Sequence, residues 1–420
     1  MINSMALKRK GILLSFTVFA MFFGAGNLIF PAFLAFQAGE NIVPAFIGFA
    51  ITAIGFPVLS LLAAEKAGSL SALAGKVSKL FSLLFTVAIH LAIGPCLAIP
   101  RTSSTSFEML KAAFSFEGLA SSIIFSALFF LAAAIIALHP EKLSKRLGRI
   151  LAPILILLII ILFAGTICID LNSTSALDEW ASSPFSTGFK EGYQTMDAVA
   201  GLAFGSVLII NIQALGIKKE DEMKEGVKAA IGGGIFLLFI YALLAVIGMK
   251  ANAFAPDAKT GADILSAAAW WISPTVGRYL IAAIFLIACF NTAVGLLSSC
   301  GEYFSSIAPR ISRNKWIAIF AIVSAVIANA GLSSIIAISS PVLELLYPAA
   351  ITLILLAFLP GQVERHLTYI LAVSVSLISS LLAMLNIPLP LSAYGFGWLL
   401  PTITAGIIGF VLDNKKPVHR

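Results

Sequence analysis

Charge is what this sequence has least of. Of its 420 residues only 11% are Asp, Glu, Lys or Arg, while 60% are hydrophobic. Soluble domains carry roughly 25% charged residues. So apolar a chain has too little polar surface to fold in water, which excludes a soluble globular protein. Histidine and cysteine are scarce too, at four each. His90, His139, His366 and His419 share no ligand spacing. Cys96, Cys168, Cys289 and Cys300 fall in or beside apolar runs. Neither set makes a metal motif or a disulfide framework. No His pair at helical spacing and no Ser-His-acid grouping suggests a membrane enzyme. The net charge of +7 is dispersed among loops, so no basic face for nucleic acid forms.

What is present is apolar length. Stretches long enough to span a bilayer fall at approximately 11–36, 41–64, 79–100, 119–138, 149–169, 195–214, 229–249, 279–301, 315–330, 338–359, 367–386 and 393–412. The expected fold is all-α and polytopic, about 12 transmembrane helices in one domain over 1–420. The ninth stretch is short against the ~20 residues a span needs. Lys8, Arg9 and Lys10 precede the first run, which is too long for a signal-peptide core. Of the 27 Lys and Arg residues, only Arg101, Lys111, Lys190, Lys250, Lys259 and Arg278 fall on one side of a twelve-span layout. All the others share the side of both termini, and the positive-inside rule makes that side cytoplasmic. Two long loops, 170–194 and 250–278, carry Trp, Pro and acidic residues. They read either as amphipathic pieces on the outer surface or as plain solvated connections.

The first run is built to break. It reads FAMFFGAGNLIFPAF from Phe19 to Phe33, and Gly24-Ala25-Gly26-Asn27 in its middle is a poor helix former. Backbone groups unwound in hydrocarbon cost several kcal/mol each unless they line a cavity, a ligand or protein. The sixth run holds a comparable stretch, LAFGSVLIIN from Leu202 to Asn211. Phe23-Gly24-Ala25 aligns with Phe204-Gly205-Ser206, and each triplet has an Asn nearby. The two spans are five apart. An odd repeat inserts with opposite orientation, which suggests inverted halves at approximately 11–169 and 195–359, with two further helices at approximately 367–412. The simpler reading is a pair of glycines that let helices pack closely, and it has more force at Gly205 than at Gly24-Ala25-Gly26-Asn27.

Six stretches, in order, resemble the bacterial branched-chain amino acid:cation symporters. They are FFGAGNLIFP (Phe22–Pro31), IGPCLAIPRTSSTSFE (Ile93–Glu108), HPEKLSKRLGRILAP (His139–Pro153), GYQTMDAVAGLAFG (Gly192–Gly205), CGEYFS (Cys300–Ser305) and PVLELLYP (Pro341–Pro348). The resemblance implies secondary transport of leucine, isoleucine and valine, driven by Na⁺ or H⁺ across the bacterial cytoplasmic membrane. It also implies the five-plus-five leucine-transporter fold with discontinuous helices 1 and 6. A proton-coupled carrier of another amphiphilic amino acid, such as methionine, is the alternative. A channel or an enzyme fits less well, since one asymmetric chain offers no ring of charge.

On this resemblance the substrate residues are Phe23, Gly24, Ala25, Gly26, Asn27, Phe204, Gly205 and Ser206. N–H groups of Ala25, Gly26 and Asn27 would take the carboxylate. Freed carbonyls near Phe204 and Gly205 would take the ammonium. A Na⁺ ion would sit among carbonyls of Ala20, Phe23 and Ala288 and the side chains of Asn291 and Thr292. Where the resemblance leads one to expect Thr-Thr in span eight, the chain has Asn291-Thr292, which leaves the coupling ion open. Ionisable groups inside spans are functional suspects. His90 reads as a proton relay or a satisfied interior histidine. Arg101, placed at the outer end of span three, reads as a gate or a snorkelling cation. Asp197 reads as a helix cap. Glu344 stands where an apolar residue is expected and is a possible proton site.

Overall fold

The computed structural model describes residues 2–114, 118–170, 174–359 and 365–415, and among them every regular element is helical. The first apolar run forms α1 (Ile2–Phe22) and α2 (Ala25–Ala38). The second forms α3 (Ile42–Ala50) and α4 (Phe56–Ala67), joined by a π turn, and a short α5 (Leu70–Gly75) follows. The third is α6 (Lys79–Leu91) and α7 (Ala98–Phe114), joined by a kinked π turn. Then come α8 (Leu119–Ala137) and α9 (Ala152–Gly165). The first long loop folds into α10 (Asp178–Ser182) and α11 (Pro184–Glu191). Next are α12 (Asp197–Ala214) and α13 (Glu222–Met249), and the second long loop carries α14 (Gly261–Ile272). The chain ends with α15 (Val276–Ile307), α16 (Arg313–Ala328), α17 (Leu332–Ala357), α18 (His366–Met384) and α19 (Leu399–Lys415). Nine stretches among the described residues are long and apolar enough to cross a membrane. Outside those nine lie α1, cut off at Phe22, and the short α16 and α19 of 16 and 17 residues.

The expected break in the first run is present. Gly24 is extended, with φ −122° and ψ −155°. Its N–H donates to Asn27 Oδ1 at 2.9 Å, so the Asn side chain supplies the acceptor that the helix lacks there. Four residues on, Pro31 has no N–H to offer the Asn27 carbonyl. Two glycines then let other helices reach α2. A Cβ on Gly248 of α13 would lie 2.0 Å from the Ala32 carbonyl oxygen, and one on Gly261 of α14 would lie 1.9 Å from that of Ile29. No larger residue fits at either contact, and α2 is clamped as a half-length rod.

The second interruption precedes the expected place. Between α11 and α12 lies a 3₁₀ turn, Gly192–Thr195, followed by Met196 in the left-handed region at φ 64°. Phe204, Gly205 and Ser206 lie inside the unbroken α12. Gly205 is there for close packing: a Cβ on it would meet the Ala64 methyl at 3.0 Å. Phe204 stacks edge-on against Phe22 at 5.4 Å. The glycine that resembled a break is a helix-contact residue.

Outward faces are apolar, with Leu128, Leu131, Ile235, Ile322, Val326 and Ile407 exposed, as a hydrocarbon surround requires. The last two helices pack on each other and join the rest through α17. There Asp413 of α19 caps α18 by accepting from the Leu367 and Thr368 N–H groups at 3.1 and 2.8 Å.

Candidate functional site

The two interruptions meet at one small cavity of about 20 Å³. Its wall comes from Met21, Phe22 and the Gly24–Asn27 stretch, from Ala98, Arg101 and Thr102 of α7, from Thr195–Asp197, and from Thr292 and Leu296 of α15. That volume suits about one water. An amino acid enters only if the walls separate.

Asn27 holds the two breaks together. Its Oδ1 closes the Gly24 turn, and its Nδ2 donates to Asp197 Oδ2 and to the Tyr241 hydroxyl. Tyr241 itself donates to Asp197 Oδ2 at 3.3 Å. All three side chains are buried. Asp197 opens α12 as expected, but its carboxylate reaches across to α2 and α13.

Arg101 departs furthest from its expected place. It does not end a span, because α7 continues to Phe114. It lies mid-span and only 5% exposed, so it is neither an outer gate nor a snorkelling cation. The polar run Thr102–Ser106 misleads, because four of its five hydroxyls bond to carbonyls of their own helix. Thr102 donates to the Ile99 carbonyl at 2.6 Å, and Thr105 and Ser106 each donate to a carbonyl one turn back at 2.8 Å. The Arg101 guanidinium lies over the first turn of α2. A Cβ on Gly26 would sit 2.8 Å from its Nη2 and 2.9 Å from the Phe30 ring. Nη2 donates to the Gln194 carbonyl at 3.0 Å.

The expected ion ligands come from the end of α1 and from α15. Ala20, Phe23, Ala288 and Asn291 are fully buried. A Cβ on Gly24 would lie 2.8 Å from Thr292 Oγ1, which puts that hydroxyl at the end of α1. Thr292 Oγ1 and both polar atoms of the Asn291 side chain are buried without a hydrogen-bond partner among the described residues.

The remaining candidates lie away from the centre. His90 stacks on Tyr303 at 4.1 Å, and its Nδ1 is 2.8 Å from the Thr86 carbonyl. Both rings line a second cavity of about 270 Å³, together with Ser206 and Glu302. Ser206 therefore faces this cavity and not the central one. Glu344 is exposed and lines a third cavity, about 180 Å³, with Lys190, Tyr193 and Trp398. The sequence reading missed Tyr241, Thr102 and Thr195, and it gave Asp197 only a capping role. An Asp inside an apolar run was the available signal.

A family model described as "Branched-chain amino acid transport protein" matches residues 7–416. The chain belongs to this family. Among relatives, it is 37% identical to the branched-chain amino acid permease BraB of Bacillus subtilis, over 96% of this chain and 95% of that one. As a family member it is a transport protein and not an enzyme. Two solved structures show the fold. One is a Na⁺-coupled sialic acid symporter in a substrate-bound outward-open state, with TM-score 0.63, 16% identity and coverage of 96% of this chain and 89% of that one. The other is Mhp1, a nucleobase-cation-symport-1 family transporter in a closed conformation with bromovinylhydantoin bound. Its TM-score is 0.58 at 12% identity, covering 96% and 92%. The architecture is the leucine-transporter fold, with helices 1 and 6 discontinuous.

Gly26 tests the site geometry. Gly26→Ala pushes against Arg101 and Phe30, and uptake of branched-chain amino acid into proteoliposomes should fall roughly 10- to 100-fold. Gly75→Ala has open space around it and should leave uptake unchanged. Parent-like uptake by a well-folded Gly26→Ala protein would show that this turn is away from the substrate.

Proposed function

We propose that the chain imports leucine, isoleucine and valine across the bacterial cytoplasmic membrane as a Na⁺-coupled symporter working by alternating access. Family membership supports the substrate class. The observation that carries coupling is the group of orphaned polar atoms on Asn291 and Thr292, set against the end of α1. Buried polar atoms without partners are costly. A hard cation held by side-chain oxygens of Asn291 and Thr292 and by carbonyls of Ala20, Phe23 and Ala288 relieves that cost at the two side-chain oxygens, because such ions take several oxygens at once. Occupation there braces α1 against α15, next to the turn that forms one wall of the substrate seat. Binding of ion and substrate thereby favours the same arrangement of helices, which is the basis of coupling.

A proton-coupled reading rests on a different group, the Asp197 carboxylate in the cavity wall. The two readings separate in proteoliposomes loaded with a Na⁺ gradient or a pH gradient. Leucine uptake should follow the Na⁺ gradient, and Thr292→Ala should raise the Na⁺ concentration for half-maximal uptake by about tenfold, the loss of one ligand. Uptake that follows pH and ignores Na⁺ would remove the ion from Asn291 and Thr292 and move coupling to Asp197.

The same proposal puts both termini in the cytoplasm, on the side that gathers Lys and Arg. A cysteine introduced as Lys415→Cys should resist an impermeant thiol reagent applied to intact cells and react after permeabilisation. Ready labelling of intact cells would reverse the orientation.

A further inference from the structure

We propose that Arg101 and Asp197 form a split charge pair that reads the two charges of the substrate, Arg101 taking the carboxylate and Asp197 the ammonium. This rests on the reading of the central cavity as the seat of an amino acid.

Among the described residues, Arg101 and Asp197 are the only charged side chains in the wall of that cavity. Both are buried, at 5% and 3% exposure. No ion pair joins them among the described residues. Each is held apart by other partners. Arg101 Nη2 is tied to the Gln194 carbonyl, and Asp197 Oδ2 is tied to Asn27 and Tyr241. Arg101 Nη1 is buried with no hydrogen-bond partner among the described residues. A guanidinium N–H left unmet in a dry interior is unfavourable. A carboxylate accepts from two such N–H groups at once.

The place of Arg101 agrees with that role. Its head lies 2.8 Å from the position a Gly26 Cβ would take, directly over the first turn of α2. There the N–H groups have no carbonyl one turn back, and the helix end favours an anion. Guanidinium and helix end therefore converge on one negative group. Asp197, at the start of the other interrupted helix, supplies the opposite sign.

Charge balance then sets specificity. One cation and one anion leave the cavity neutral. A zwitterion keeps it neutral while pairing both residues. Leucinamide, without the carboxylate, adds a positive charge; 4-methylpentanoate, without the ammonium, adds a negative one. Each leaves one buried charge unpaired, which costs more than any difference among apolar side chains.

The test is displacement of tritiated leucine from purified protein in lipid nanodiscs, with Na⁺ present, by isoleucine, leucinamide and 4-methylpentanoate. In the parent, leucinamide and 4-methylpentanoate should each compete at least about 100-fold more weakly than isoleucine. Arg101→Gln should weaken leucine binding by about 100-fold and bring leucinamide to within a few-fold of leucine. Asp197→Asn should do the same for 4-methylpentanoate. Arg101→Lys keeps the charge without the fork and should fall between. Parent-like affinity and parent-like discrimination in a monodisperse Arg101→Gln protein would overturn the proposal. Where that variant does not fold, the parent alone decides: leucinamide competing within threefold of leucine refutes the charge pair. A parent that binds no leucine, isoleucine or valine refutes the proposed function instead.

Discussion

One side chain ties this structure together. Asn27 accepts from the Gly24 N–H, which lets the first helix stop inside the membrane, and with its other end it grips Asp197 and Tyr241. The constraint behind it is the intolerance of hydrocarbon for unmet backbone polar groups. A helix interrupted at mid-membrane persists only if something else satisfies it. Here the Asn27 side chain meets the Gly24 N–H of the first interruption and bonds Asp197 at the start of α12, while Arg101 of α7 donates to the Gln194 carbonyl of the second. Clamping of α2 by Gly248 and Gly261 then fixes where its first turn points.

The centre is closed in this arrangement, and two pairs of stacked rings belong to stretches that run into its wall. Tyr193 stacks on Tyr347 at 4.3 Å and lines the 180 Å³ cavity, two residues before Thr195 in the central wall. His90 stacks on Tyr303 and lines the 270 Å³ cavity, one turn before Ile93 in the central wall. The central 20 Å³ must grow to admit a leucine.

Much of the fold was legible because membrane helices obey two coarse rules, apolar length and intramolecular backbone bonding. The first break was also legible, since Gly-Ala-Gly-Asn combines weak helix formers with a polar group that needs a partner. The second was not, because the left-handed turn is made by Met196 (φ 64°) and not by a glycine. A non-glycine residue takes that conformation only when tertiary contacts impose it. Arg101 was misplaced for a related reason. Its polar neighbours ended the apolar run on paper, yet in the folded chain the Thr105 and Ser106 hydroxyls bond to the helix behind them and the span continues. Asp197 looked like a local cap because sequence shows near neighbours, whereas its partners come from residues 27 and 241.

The central claim is that an amino acid is bound where the two interruptions face each other. A structure of the protein solved with leucine and Na⁺ addresses it most directly. The account predicts leucine between Gly26 and Asp197, its carboxylate against the first turn of α2, with the central cavity enlarged around it. Leucine found instead beside His90 and Tyr303, or beside Tyr193 and Glu344, with the Gly24–Asn27 turn unchanged, would contradict it.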